Sequence, residues 1–120
     1  MTCVLVVEND PDTRDAVREI LALEGHSVRV AGDGEAAMQD LIGEELPSVI
    51  LLDAWMPRMN GREFLDWLAQ HPRFESVPVI IVSGDPAPFR HARVASVLRK
   101  PYDIDDLLQL VRKLCPGQGR

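Results

Sequence analysis

Four short runs of apolar residues constrain this chain more than any other feature. They are Cys3 to Val7, Val28 to Val30, Val49 to Leu52 and Val77 to Val82, with a weaker fifth from Ala95 to Leu98. Each is rich in β-branched residues and continuous rather than alternating. A strand with one wet face alternates polar and apolar residues. A continuous run instead suits a strand buried on both faces, as in a parallel sheet. Parallel neighbours cannot be joined by tight hairpins and need crossover connections, which are right-handed.

The segments between the runs have the spacing those crossovers need. From Pro11 to Glu24, Val17, Ile20, Leu21 and Glu24 recur at helical intervals. Asp10 suits the N-cap, Pro11 the first helical position and Gly25 the stop. A second helix is expected from Gly34 to Ile42, stopping at Gly43. A third is expected from Gly61 to Gln70, with Phe64, Leu65 and Leu68 on one face. A last helix, Asp103 to Leu114, carries Ile104, Leu107, Leu108, Val111 and Leu114 on one stripe. The alternation predicts a doubly wound α/β sheet of five parallel strands.

The chain has 120 residues, enough for one domain with its own core, expected over residues 1–115 with a loose tail at 116–120. Net charge is −6, from 13 Lys plus Arg against 19 Asp plus Glu. Such a surface repels a phosphate backbone, so no direct contact with nucleic acid is expected. No apolar run is long enough for a membrane span, and the N-terminus lacks a basic signal region. The expected setting is the cytoplasm. Cys3 and Cys115 have no metal-binding spacing and are expected to be free thiols. His26, His71 and His91 are expected on the surface. Met56 and Met59 are expected to pack in a loop, and Trp67 to be partly exposed.

In open α/β sheets the functional crevice lies beyond the carboxyl ends of the strands, at the switch point of the strand order. Glu8, Asn9 and Asp10 follow the first run, Asp53 the third, Ser83 the fourth and Lys100 the fifth. If the order is 2-1-3-4-5, the first and third strands are neighbours. Glu8, Asn9 and Asp53 then converge, flanked by Ser83 and Lys100. Clustered carboxylates resist ionising unless a cation compensates. Oxygen donors of this kind suit Mg²⁺. Asp53 can attack phosphorus to form an acyl phosphate. Lys100 can neutralise charge on the transferred group, and the Ser83 hydroxyl can donate to one of its oxygens. Taken singly, each residue has a plainer reading: Asp53 as a turn residue, Lys100 as a surface lysine, Ser83 as part of a turn, Asp10 as a helix cap. Their meeting at four of five strand ends favours the chemical one.

The stretch Leu51-Leu52-Asp53-Ala54-Trp55-Met56-Pro57-Arg58-Met59-Asn60-Gly61 resembles the receiver domains of two-component response regulators. Lys100-Pro101-Tyr102 is similar to that family's Lys-Pro-aromatic element, Ser83 to its hydroxyl position, and Glu8-Asn9 to its acidic pair. The resemblance spans about Val4 to Leu114. It implies the flavodoxin-like order 2-1-3-4-5 and a cis bond before Pro101. It implies phosphoryl transfer to Asp53 from a sensor histidine kinase or a histidine phosphotransfer protein. It implies Mg²⁺ on Glu8, Asn9, Asp53 and the backbone carbonyl of Trp55. It also implies that Trp55 and Asp85 occupy positions that, in that family, tune the lifetime of the phosphoryl group. The chain is then a single-domain phosphoacceptor, not an enzyme acting on other substrates, and signals by partner binding or phosphorelay.

Three departures from that pattern stand out. Asn9 replaces an acidic residue, which predicts weaker Mg²⁺ binding. Val97 stands where an aromatic switch residue is usual, three positions before Lys100. Between Gly84 and Ala95, with Pro86 and Pro88 near its start, the fourth helix is expected to be short or missing. Asn9 and Val97 support an alternative, a degenerate receiver that binds partners without phosphorylation. A dehalogenase-type phosphatase fits less well, because Trp55 stands where its second Asp belongs. A flavodoxin-like cofactor site fits poorly too, because Glu8-Asn9-Asp10 would repel a bound phosphate.

Overall fold

The computed structural model describes residues 3–43, 45–56, 58–84 and 90–115. The strands are β1 (Cys3–Val7), β2 (Ser27–Ala31), β3 (Val49–Asp53), β4 (Val79–Ser83) and β5 (Val94–Arg99). The helices are α1 (Pro11–Leu23), α2 (Gly34–Gly43), α3 (Gly61–Ala69) and α4 (Ile104–Leu114), with a 3₁₀ turn at Pro72–Phe74. The five strands form one parallel sheet in the order β2-β1-β3-β4-β5. That is the expected architecture.

Burial explains the continuous runs. Every residue of β3 and β4, the central pair beside β1, is buried. The edge strands β2 and β5 are only partly covered. Leu5, Val7, Ile50, Leu52 and Ile81 face a core built with α2, α3 and Phe74. Val4, Val6, Leu51, Ile80 and Leu98 face the opposite core, built with Val17 and Leu21 of α1 and Leu107 and Val111 of α4. Each fully buried Leu or Ile stabilises the fold by about 1.5–3 kcal/mol.

Local chemistry sets the helix ends. The Asp10 side chain accepts the Thr13 N–H at 3.1 Å, and Pro11 opens α1. Asn60 and Glu63 form a reciprocal capping box on α3. Gly25 turns the chain after α1 with φ of 92°, a conformation that favours glycine.

Three expectations need correction. The fourth strand begins at Val79, not Val77: a turn after the 3₁₀ segment still holds Val77, whose N–H bonds Phe74 O at 3.0 Å. His26 is not on the surface. It is 8% exposed, because the Gly25 turn brings its N–H back to Leu21 O at 3.2 Å. His71 and His91 are half-buried: the His71 ring lies on Trp67 at 4.6 Å, and His91 Nε2 lies 2.7 Å from Asp66 Oδ1.

Met56 and Met59 pack as expected, and Trp67 is half-buried against the α3 side of the core. Cys3 and Cys115 are free thiols. Among the described residues no helix lies between β4 and β5, in line with the expected abbreviation. Asp85, Pro86 and Pro88, and the tail 116–120, fall outside the described residues, as does Pro57. No helix among the described residues is long and apolar enough to cross a membrane.

Candidate functional site

The strand order places the carboxyl ends of β1 and β3 side by side. Val7 pairs with Leu52, so Glu8 and Asp53 leave the sheet as neighbours. Ser83 ends β4, and Lys100 follows β5. The sheet continues just past its formal ends: Ala54 N–H bonds Val82 O at 2.9 Å, and Lys100 N–H bonds Ser83 O at 2.9 Å. These rungs bring Asp53, Ser83 and Lys100 into one row.

Glu8, Asp53 and Ser83 are all buried although polar. Lys100 Nζ lies 3.8 Å from Asp53 Oδ1, with the lysine side chain 39% exposed and the aspartate 9%. The Trp55 N–H donates to the same Asp53 oxygen at 3.1 Å. Glu8 has its carboxyl pushed above the usual range, chiefly by burial. A hydrogen bond from the Asp10 N–H opposes that rise, and the charge and hydrogen bonding of Asp53 add to it. Two acidic side chains are therefore held together with one lysine beside them. Burial and the Glu8 charge also raise the Tyr102 phenol, which packs against the α4-side core.

This donor set fits a hard divalent cation. It offers oxygen only, it is acidic, and the repulsion within the Glu8–Asp53 pair is what a cation would relieve. Among the described residues no three His, Cys, Asp or Glu side chains group to hold a metal, so amide, carbonyl and water oxygens would complete the shell. Asn9 is exposed beside the pair. Asp10 serves as the N-cap of α1. Its carboxylate accepts from the Thr13 backbone at 3.1 Å and the Thr13 hydroxyl at 2.5 Å, and those bonds lower its pKa.

The Lys100–Pro101 bond is cis, as the resemblance implied. Trp55 is 84% exposed at the rim, and Val97 is 39% exposed on β5. Arg58 adopts φ of 67° and reaches Asp33 at 3.4 Å, tying the loop after β3 to the start of α2. Sequence reasoning did not single out Arg14. Its guanidinium donates to the Glu8 backbone carbonyl at 3.1 Å. The one local signal was its place in the first turns of α1, close behind the acidic pair.

A family model for the response regulator receiver domain matches residues 4–112. A 14.6 kDa protein of Leptolyngbya boryana is 34% identical, with 93% of this chain and 88% of that protein covered. Response regulator Rre1 of Synechocystis is 31% identical, with 96% of this chain covered. This chain spans 52% of Rre1, about half its length. The receiver domain of the Francisella response regulator 1452 superposes with a TM-score of 0.84 at 28% identity, covering 95% of this chain and 96% of that one. With the fold, the strand-end carboxylates and a family match over nearly its whole length, this chain belongs to the response regulator receiver domain family.

Proposed function

We propose that Asp53 accepts a phosphoryl group from a phosphohistidine on a sensor kinase or a histidine phosphotransfer protein. The observation that carries this reading is the placement of Lys100 Nζ 3.8 Å from Asp53 Oδ1 with buried Glu8 on the adjoining strand. An Asp53 oxygen forms the new P–O bond while the P–N bond to the donor imidazole breaks, and the electron pair leaves with that ring. Lys100 offsets charge on the phosphoryl oxygens, and the Ser83 hydroxyl donates to one of them. The Trp55 N–H already donates to Asp53, which orients the carboxylate before attack.

Receiver domains bind Mg²⁺ at the phosphorylation site. In this chain Glu8, Asp53, the Trp55 carbonyl and the Asn9 amide would hold it. When bound, it supplies positive charge against the transferred phosphoryl group. The same groups would promote loss of the phosphoryl group to water, so the chain is a transient phosphoacceptor. Phosphorylation then signals by altered partner binding or by relay onward, with residues 1–115 as the receiver unit and 116–120 as its tail.

A second reading is a receiver that binds partners without phosphorylation. Val97 favours it: an exposed valine on β5 has no ring to turn inward when a hydroxyl moves. Incubation with Mg²⁺ and acetyl phosphate separates the two. An alkali-labile adduct on the wild type and none on Asp53→Asn supports phosphorylation. No adduct at any Mg²⁺ concentration supports the second reading.

A further inference from the structure

The Glu8 carboxylate is useful only where it points, and a glutamate has one more rotatable bond than an aspartate. Its direction therefore depends on how firmly its own backbone is held. Both peptide groups of Glu8 are held. Its N–H makes the last rung to β2, to Ala31 O at 3.0 Å. Its carbonyl, at the point where the chain leaves the sheet for α1, accepts from Arg14 Nη1 at 3.1 Å. A strand-end carbonyl needs a partner when water is excluded, and here a guanidinium provides it. The carboxylate then folds back to accept the Asp10 N–H at 3.0 Å while facing Asp53.

Arg14 is itself seated. Its N–H bonds Asp10 O at 2.9 Å as α1 begins, so the side chain springs from a fixed turn. Its guanidinium occupies the space beside Gly32, in the turn after β2. A Cβ built on Gly32 would lie 3.2 Å from Arg14 Nη1, tighter than an ordinary contact. The glycine is thus the gap through which the arginine reaches the end of β1. Three strand-end loops meet at this point: Glu8 from β1, Gly32 from β2, and Asp53 from β3 through the Glu8 carboxylate.

We infer that Arg14, seated against Gly32, is a positioning residue that aims the Glu8 carboxylate at Asp53 and so sets the affinity of the site for a divalent cation. The inference deepens the reading of Asp53 and Glu8 given above and rests on it.

The test is a Mg²⁺ titration of the full chain followed by tryptophan fluorescence, Trp55 lying beside Asp53, on the wild type, Arg14→Met, Gly32→Ala and the double variant, each checked by thermal melting. Partners one step behind a metal ligand typically change metal affinity about 10–100-fold. Acting through a backbone carbonyl, Arg14→Met is expected at the low end, about a tenfold rise in Mg²⁺ Kd. Gly32→Ala meets only the tip of a flexible side chain, so it should keep the fold and weaken Mg²⁺ by a smaller factor. If Gly32 acts through Arg14, the double variant is no weaker than Arg14→Met alone. Should Arg14→Met melt too low to titrate, the weakening in Gly32→Ala alone carries the decision. Affinity within twofold of the wild type in the folded variants overturns the inference while leaving the site reading in place. So does a Gly32→Ala effect that persists in the Arg14→Met background. A wild type that binds no Mg²⁺ overturns both.

Discussion

Lys100 Nζ lies 3.8 Å from Asp53 Oδ1, and the two residues come from positions 47 apart, brought together by β3, β4 and β5 lying in register. The pair sits at the rim, with the lysine 39% exposed. An ion pair in that setting contributes at most about 1 kcal/mol to stability. Its value lies in the charge it presents to a phosphoryl group. Lys100→Met is therefore expected to melt within a few degrees of the wild type. Its rate of phosphorylation by acetyl phosphate should fall by about 10²-fold, the usual cost of removing one donor to developing charge. A rate within threefold of the wild type would remove Lys100 from the chemistry.

Much of this fold was legible in the chain because burial on both faces writes itself as continuous apolar runs. β1 was expected at its observed bounds, and the Asp10-Pro11 start of α1 was read from local capping chemistry. What escaped depends on contacts between distant residues. The 3₁₀ turn at Pro72–Phe74 is held by ring packing with Trp67 and by Arg93, which donates to Phe74 O at 3.0 Å and Val77 O at 2.8 Å. His26 has no apolar signature of its own; it is covered only in the fold, where it feels the charge of Arg112 from α4. At the site, residue types that follow the strands could be named in advance. The Arg14 bond to Glu8 could not, because nothing in the spacing says which carbonyl a guanidinium will reach.

Asn9 occupies the second position of the acidic pair with a neutral amide, and Asp10 is engaged as a helix cap. Restoring charge at position 9 should strengthen the cation site. Asn9→Asp is expected to lower the Mg²⁺ Kd about tenfold, in line with the dependence of such sites on ligand charge. Calorimetric titration reads this directly. An unchanged Kd would show that residue 9 does not face the cation.

His26 gives the fold a pH dependence of its own. Its pKa is lowered from the ordinary 6.5 by burial, with Glu24 acting to raise it and Arg112 to lower it further. The unfolded chain therefore takes up a proton on this residue at higher pH than the folded chain does. The stability it lends is fully present above about pH 6.5 and is lost as pH falls through the lower folded value. Urea midpoints measured between pH 8 and pH 5 should decline more in the wild type than in His26→Gln. Parallel profiles would show that His26 ionises alike in both states.

Arg29 and Asp40 join β2 to α2. Arg29 Nη2 lies 2.6 Å from Asp40 Oδ1, and Nε lies 3.1 Å from Oδ2. Both side chains are largely covered, 22% and 17% exposed. A two-pronged pair of this kind cannot be matched by a lysine. Arg29→Lys is expected to cost about 1–2 kcal/mol in denaturant unfolding, and Asp40→Ala about 1.5–3 kcal/mol. Phosphorylation of Asp53 should be unaffected in both, because neither residue reaches the strand-end carboxylates.

The central claim is that Asp53 is the phosphoacceptor, and intact-mass spectrometry tests it most directly. The wild type, treated with acetyl phosphate and Mg²⁺, should gain the mass of a single phosphoryl group. Borohydride trapping should place it on the peptide containing Asp53. Chelating Mg²⁺ before the phosphodonor is added, or changing Asp53 to Asn, should abolish the gain. An equal mass gain in Asp53→Asn, or none in the wild type across a full range of Mg²⁺, would contradict the account.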